Sequence, residues 1–219
     1  MMRFLDRHEA GRLLAQELLG YADQRPAVFA LPRGGVPIGY EIAKTLKAPL
    51  DLILVRKIGA PFQPELAAGA VVNGDDPVVV LNPKVVGPLG LTEEFLEEET
   101  SRKLAEIDER RRIYLAGRAR VDPRGMTAIV ADDGIATGAT IKAALRAVRR
   151  RGASRLVLAA PVAPPSTVEE LSSEADAIHC LETPEFFMAI GIFYQNFHQL
   201  SDEEVVKLLA DAAAFQDGT

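Results

Sequence analysis

The stretch IVADDGIATGAT, residues 129–140, decides how this chain is read. An apolar run ends in Asp132 and Asp133 side by side, and small and hydroxyl residues then lead into a helical pattern. A short apolar run closed by turn residues is the mark of a strand buried on both faces, as in a parallel sheet. In such a sheet, ligands gather beyond the carboxyl ends of the strands, where these aspartates stand. The next turn enters a helix whose first amides have no intrahelical partner. A phosphate group takes such amides if no bulky side chain intervenes. Gly134, Ala136, Gly138 and Ala139 keep the way clear, while Thr137 and Thr140 add hydroxyl donors. The aspartates cannot bind that phosphate, because like charges repel. They suit hydroxyl groups or a cation on something attached to it, and a phosphorylated sugar has both ends of this pattern.

The surrounding chain repeats the same grammar. AVFAL (27–31), between Pro26 and Pro32, reads as a buried strand. PRGG follows as a turn, then VPIGYEIAKTLKA with Ile38, Ile42 and Leu46 at helical spacing, then DLILVR (51–56) as a second buried strand. Strand, helix and strand in this order predict a parallel sheet. From 57 to 125 the pattern changes. KIGAPFQPE reads as a loop, LAAGAVVNGDDPVVVLN as a hairpin turning at Asn73-Gly74, and Thr92 as the cap of a long helix reaching about Leu115. That helix begins acidic and ends basic, which suits its macrodipole. Its basic end reads as a solvated terminus rather than a nucleic-acid contact.

The alternation resumes with MTAIVA, a helix over 137–151, the strand RLVLAAPVA, a helix after Ser166 and a strand at DAIHCLE. His179 and Cys180 in that last strand read as packing residues. Residues 182–198 are aromatic-rich and irregular, and Ser201 with Glu204 caps a final helix. Asp6 with Glu9 opens an N-terminal helix over about 6–22. The expected fold is α/β: one domain over 1–219, with a doubly wound parallel sheet in a core of about 25–182. An inserted hairpin–helix arm spans about 57–125. A C-terminal hood spans about 182–219, joined by the N-terminal helix.

Composition narrows the function. The 219 residues are 48% hydrophobic, enough for a substantial core, and 25 basic against 31 acidic residues leave a net charge of −6. A general nucleic-acid binder needs a basic face, so nucleic acid is not an expected partner. A single cysteine excludes an intrachain disulfide. No apolar run reaches the roughly 20 residues that cross a bilayer. The opening MMRFLDRHEAGRLL turns charged and helical at once, unlike a signal peptide. A cytoplasmic protein without membrane contact is expected. His8-Glu9 begins like a zinc-protease pattern, but Arg12 stands where the second histidine is needed.

Residues 128–140, AIVADDGIATGAT, resemble the phosphoribosyl diphosphate (PRPP) motif of the type I phosphoribosyltransferases: an apolar strand, two acidic residues, an apolar pair and a Thr-Gly-x-Thr phosphate loop. Gly134 departs from it, since most of the family has an aliphatic residue there. This leaves the phosphate loop intact and implies looser packing on the ribose side. ALPRGG (30–35) is similar to the family's pyrophosphate loop. There Arg33 offers a fork for phosphate oxygens, and Gly34 and Gly35 permit close backbone approach. The family carries an unusual dihedral or a cis peptide in this loop, so one is expected between residues 31 and 35. VRKIGAPFQPELAAGA (55–70) lies where type I enzymes begin a mobile loop. Arg56 and Lys57 would bring positive charge there, and Glu65 is a candidate ligand or orienting group. The resemblance also implies that aromatics among Phe186, Phe187, Phe193, Tyr194 and Phe197 form a hood over an acceptor base, with Phe193 and Tyr194 as candidates. A hydrophobic core role for them fits equally well.

The implied reaction is Mg²⁺-dependent transfer of a 5-phosphoribosyl group from PRPP to a small-molecule acceptor, with release of pyrophosphate, in nucleotide metabolism. Catalysis would be electrostatic: Mg²⁺, Arg33 and Lys57 on the leaving group, and Asp132 and Asp133 beside the sugar, reaching the metal through water. A homodimer is in keeping with the family. The family's 6-oxopurine enzymes have an aspartate where this chain has Ala136, so an acceptor other than hypoxanthine or guanine is expected. Two rival readings remain: a PRPP-sensing regulator without turnover, and a Mg²⁺ phosphohydrolase using Asp132 as nucleophile, which the phosphate loop fits poorly.

Overall fold

Successive side chains leave a strand on opposite faces, so a strand buried at every position needs cover on both. Strands β1 (Pro26–Ala30) and β6 (Thr127–Ala131) are buried throughout. Val28, Ala30, Ile129 and Ala131 pack with α1 (Arg7–Glu17), α2 (Gly35–Leu46) and α7 (Asp202–Ala213) on one face. Ala27, Phe29, Ala128 and Val130 pack with α5 (Ala139–Arg150) on the other. The fold is therefore α/β and doubly wound. Its computed structural model describes residues 3–72, 77–115, 117–213 and 215, with Pro64 and Glu65 described by their backbone alone.

The main sheet is parallel, in the order β2 (Leu50–Leu52), β1, β6, β7 (Arg155–Val162) and β8 (Ala177–Glu182). Winding runs outward from β1 in one direction and from β6 in the other, so the switch point lies between them. Crevices at such points receive ligands. The arm is a second, antiparallel sheet of β3 (Val55–Ala60), β4 (Gln63–Val72) and β5 (Val78–Leu81), followed by α3 (Pro83–Val86) and α4 (Glu93–Leu115).

Several expectations are corrected here. DLILVR is not one strand: β2 ends at Leu52, and Val55 and Arg56 already pair in the arm sheet with Val72 and Val71. KIGAPFQPE is not a loop but most of the β3–β4 hairpin, turning at Pro61 and Phe62, the latter with φ 64°. Gly59, Ala60, Gln63 and Pro64 are weak strand formers, and the register shifts around Gly59 blur the alternation. The pairing of β4 with β5 brings Val72 opposite Val78; the expected turn residues Asn73 and Gly74 lie outside the described residues.

Thr92 does cap α4, its hydroxyl accepting from the Phe95 amide at 3.2 Å. The basic end of that helix is not simply solvated. Arg111 turns inward to buried Asp51 at 3.4 Å, and Arg110 reaches Asp202 on α7 at 2.7 Å. Strand β8 forms an edge and is half-buried, so His179 and Cys180 are not in the deep core. Tyr21 Oη lies 3.1 Å from His179 Nε2. Burial lowers the His179 pKa and pushes the Cys180 thiol up to about 11. Among the described residues no helix is long and apolar enough to cross a membrane.

Candidate functional site

The loop after β6 is pinned at its ends and open in its middle. Ile135 is buried and its amide donates to Val162 O at 2.9 Å, while the Thr167 hydroxyl donates to Ala136 O at 2.8 Å. Gly138 then caps α5 at φ 72°, a left-handed conformation that favours glycine. No side chain caps that helix, so its first amides face outward as donors. Thr137, Gly138, Ala139 and Thr140 line a cavity of about 580 Å³ between α5 and the arm sheet. Lys57 on β3 and Lys84 on α3 line the same cavity. The fold thus brings the expected Lys57 to the expected phosphate loop from the far side of an insertion.

The aspartates face the hood. Asp133 is 8% exposed, and Arg7 Nε donates to its Oδ2 at 2.7 Å. The same guanidinium donates to His198 O at 2.9 Å and lies 3.9 Å over the Phe197 ring. Tyr194 Oη donates to the Asp133 backbone carbonyl at 2.6 Å. The first loop presses in from another direction. A Cβ on Gly34 would collide with the Asp133 carboxylate, and one on Gly35 would lie 2.6 Å from Ala131 O. These glycines permit close approach of backbone to the β6 loop, which the reading of the turn alone did not show.

Charge is unevenly compensated in this pair. Burial, then the neighbouring Asp133 charge, pushes the Asp132 carboxyl well above its ordinary range. Burial also raises Asp133, but the Arg7 guanidinium pulls against it. Asp133 therefore has a direct ion pair with Arg7, whereas the same guanidinium acts on Asp132 only from farther off. Among the described residues, no three His, Cys, Asp or Glu side chains cluster to enclose a metal. One hard-oxygen carboxylate suits a cation that takes its other ligands from water and substrate.

Gly134 does not loosen the ribose side as expected. A Cβ there would stand 2.6 Å from Ile190 Cγ2 and 3.1 Å from Val162 Cγ1, so the hood's isoleucine fills the space. The peptide between Pro32 and Arg33 is cis, within the segment where an unusual bond was expected. Arg33 points away from the phosphate loop, toward Asp202 at 3.5 Å. Arg56 pairs with Glu106 at 3.8 Å instead of lining the cavity. Phe193 and Tyr194, candidates for facing an acceptor, are core residues. Both are fully buried, Phe193 stacked on Phe187 and Tyr194 on Phe197. The side chain of Glu65 lies outside the described residues.

Arg7 is the site residue that sequence reasoning missed. It sits in the first turn of α1, where Asp6 Oδ1 accepts from the Glu9 amide at 2.8 Å. A lone arginine on a helix reads as solvated, and its partner is 126 residues away.

A family model described as phosphoribosyl transferase domain matches residues 5–194. A Mycobacterium tuberculosis protein named as a phosphoribosyl transferase is 46% identical over 209 residues, which are 95% of this chain and 47% of that protein. A ribose-phosphate pyrophosphokinase of Prochlorococcus marinus is 31% identical over 159 residues, 70% of this chain and 46% of that protein. The chain thus spans about half the length of the curated relatives it matches. The crystal structure of TT1426 from Thermus thermophilus is 40% identical, with a TM-score of 0.82, over 96% of this chain and 99% of that one.

Proposed function

Since this chain belongs to the phosphoribosyl transferase domain family, we propose that it moves a 5-phosphoribosyl group from PRPP to a nitrogenous base, with Mg²⁺ as cofactor and pyrophosphate as leaving group. One observation carries this reading. At the switch point of the sheet, a helix entry lined by Thr137 and Thr140, with no side-chain cap among the described residues, adjoins the half-buried Asp132 and the buried Asp133. The helix entry suits the 5-phosphate, and the carboxylates suit what the phosphate is attached to.

In the transfer, the acceptor nitrogen bonds to C1 of the ribose as the bond from C1 to the diphosphate oxygen breaks. Negative charge grows on the diphosphate and positive charge on the ring. Asp132 stabilises that ring charge and accepts hydrogen bonds from ribose hydroxyls. Asp133 is held in place by Arg7 and Tyr194 and offers its remaining oxygen to the same hydroxyls. Lys57 draws negative charge toward the cavity, and Arg33 takes the departing diphosphate. Asp132 would hold Mg²⁺ directly or through water, and the ion would supply further positive charge to the leaving group.

The acceptor follows from Ala136. This exposed methyl group at the phosphate loop can neither accept nor donate a proton. General acid–base assistance contributes ~10²–10⁴ in rate, so hypoxanthine and guanine should be poor acceptors. Pyrophosphate release from PRPP and Mg²⁺ over a panel of bases tests both parts. No release with any base sinks the transfer reading, and efficient turnover of hypoxanthine or guanine sinks the reading of Ala136.

A further inference from the structure

Three donors, two from α4 and one from the loop after β1, converge on one carboxylate beside the first loop. Arg110 Nη1 reaches Asp202 Oδ2 at 2.7 Å. Tyr114 Oη donates to Asp202 Oδ1 at 2.7 Å, and Arg33 Nη1 lies 3.5 Å from the same oxygen. Arg110 Nη1 also donates to Tyr114 Oη at 3.2 Å, which fixes the two α4 side chains relative to each other. Two guanidinium groups and a phenol, one turn apart on α4 or on the loop after β1, thus receive both oxygens of an anion. Planar guanidinium forks match the spacing of phosphate oxygens as they match carboxylate.

Asp202 is the residue out of keeping with a purely structural reading. Glu203 and Glu204 share the first turn of α7 with it and already supply negative charge to that helix terminus. Asp202 instead turns to the arginines, and the Tyr114 hydroxyl together with Arg110 holds its carboxyl below the ordinary range. The side chains of Arg33, Arg110 and Asp202 are 34%, 38% and 33% exposed, so solvent and solutes reach them. Ion pairs this exposed are weak and yield to a competitor with more charge and more acceptor oxygens.

We propose that Arg33, Arg110 and Tyr114 form a receptor for a diphosphate group and that Asp202 holds its place until one binds. Arg110 thereby becomes a second cation for the leaving group, supplied by the arm helix, when the diphosphate displaces Asp202. This rests on the reading of Arg33 as a leaving-group ligand. The class of ligand is a diphosphate, either free or attached to a sugar.

Calorimetric titration with inorganic diphosphate, and in a second arm with PRPP, tests the proposal on the full chain. Asp202→Asn removes the competing charge and should tighten diphosphate binding about tenfold, and Arg110→Gln should weaken it by a similar factor. Arg110→Lys should weaken it less than Arg110→Gln. Thermal unfolding of each variant establishes that it is folded before its affinity is compared. A diphosphate Kd unchanged in both Asp202→Asn and Arg110→Gln overturns the proposal, as does weaker binding by Asp202→Asn. If PRPP tightens with Asp202→Asn but inorganic diphosphate does not, the receptor is not a diphosphate site and the proposal fails. Because these affinities need no turnover, they stand apart from the base panel, which alone decides the transfer reading.

Discussion

On the hood side of residues 132–138, Asp133 is wedged among Arg7, Gly34 and Tyr194. On the arm side, Thr137 to Thr140 and Lys57 border a cavity of about 580 Å³. The two sides are a few residues apart yet obey different economies of charge. Inside the hood, Asp133, Arg7 and Tyr194 already have protein partners, and glycines at 34 and 134 let neighbours press close. Toward the arm, the first amides of α5 have no side-chain cap among the described residues. Compensated charge keeps geometry rigid, while uncompensated donors are what a phosphate recognises. Asp132 stands at the border, less buried than Asp133 and, among the described residues, without a direct ion pair of its own.

The largest effect should come from the closed side. Arg7→Met leaves Asp133 buried and unpaired, and breaking such a pair from one side costs ~3–5 kcal/mol. Urea unfolding should show that loss, and adding Asp133→Asn to Arg7→Met should restore most of it. A loss no larger than an ordinary surface substitution would erase the contrast between the two sides.

On the open side the test is a ligand. Ribose 5-phosphate at a hundred times its dissociation constant should stabilise the fold by ~2.7 kcal/mol, read as a rise in Tm. Gly138→Val should abolish the rise, because φ is 72° there and a Cβ would stand 3.1 Å from Thr167 Cγ2. If ribose 5-phosphate shifts Tm equally in both proteins, the phosphate does not sit at this loop.

Asp132 and Asp133 should differ in a smaller, more diagnostic way. A hydrogen bond to a charged group contributes ~1.5–3 kcal/mol, so Asp132→Asn should weaken PRPP binding roughly tenfold to a hundredfold. It should leave the ligand-free protein as stable as before or more so, since it removes a charge that desolvation and the neighbouring Asp133 disfavour. Asp133→Asn should weaken PRPP binding and destabilise the fold together, because Arg7 loses its partner. Identical behaviour of the two variants in affinity and in Tm would remove the distinction drawn between them.

The smallest effect belongs to the far wall of the cavity, where Arg146 pairs with Glu174 at 2.6 Å. The hydrogen bond to Arg146 holds Glu174 below its ordinary pKa. A depressed carboxyl contributes stability that is fully present above its unfolded pKa and lost as the pH falls through its folded one. Arg146→Gln should therefore cost ~0.2–1 kcal/mol at neutral pH and almost nothing in strong acid, measured by denaturation at both.

Much of this was open to reading from one dimension. Strands β1 and β6 declare themselves because complete burial demands an unbroken apolar run, and the phosphate loop because an open helix entry demands small residues before Thr140. The arm strands around Gly59 were hidden, since a half-exposed antiparallel strand of weak strand formers has little alternation to detect. The basic end of α4 was legible as charge but not as contact: Arg111 turns inward to β2, and Arg110 reaches across to α7, only because those elements are there to receive them.

The amino-acid sequence by itself therefore determined the buried parallel strands β1 and β6 and the small-residue helix entry after β6, because burial, periodicity and backbone conformation act within a few residues. Only the tertiary structure decided that Arg7 answers Asp133, that Ile190 fills the space beside Gly134, that Asp202 draws Arg33 aside and that Phe193 and Tyr194 turn into the core. Each of these joins residues far apart in the chain. Charge pairing and cavity filling depend on distance in space, and that distance exists only once the topology has closed.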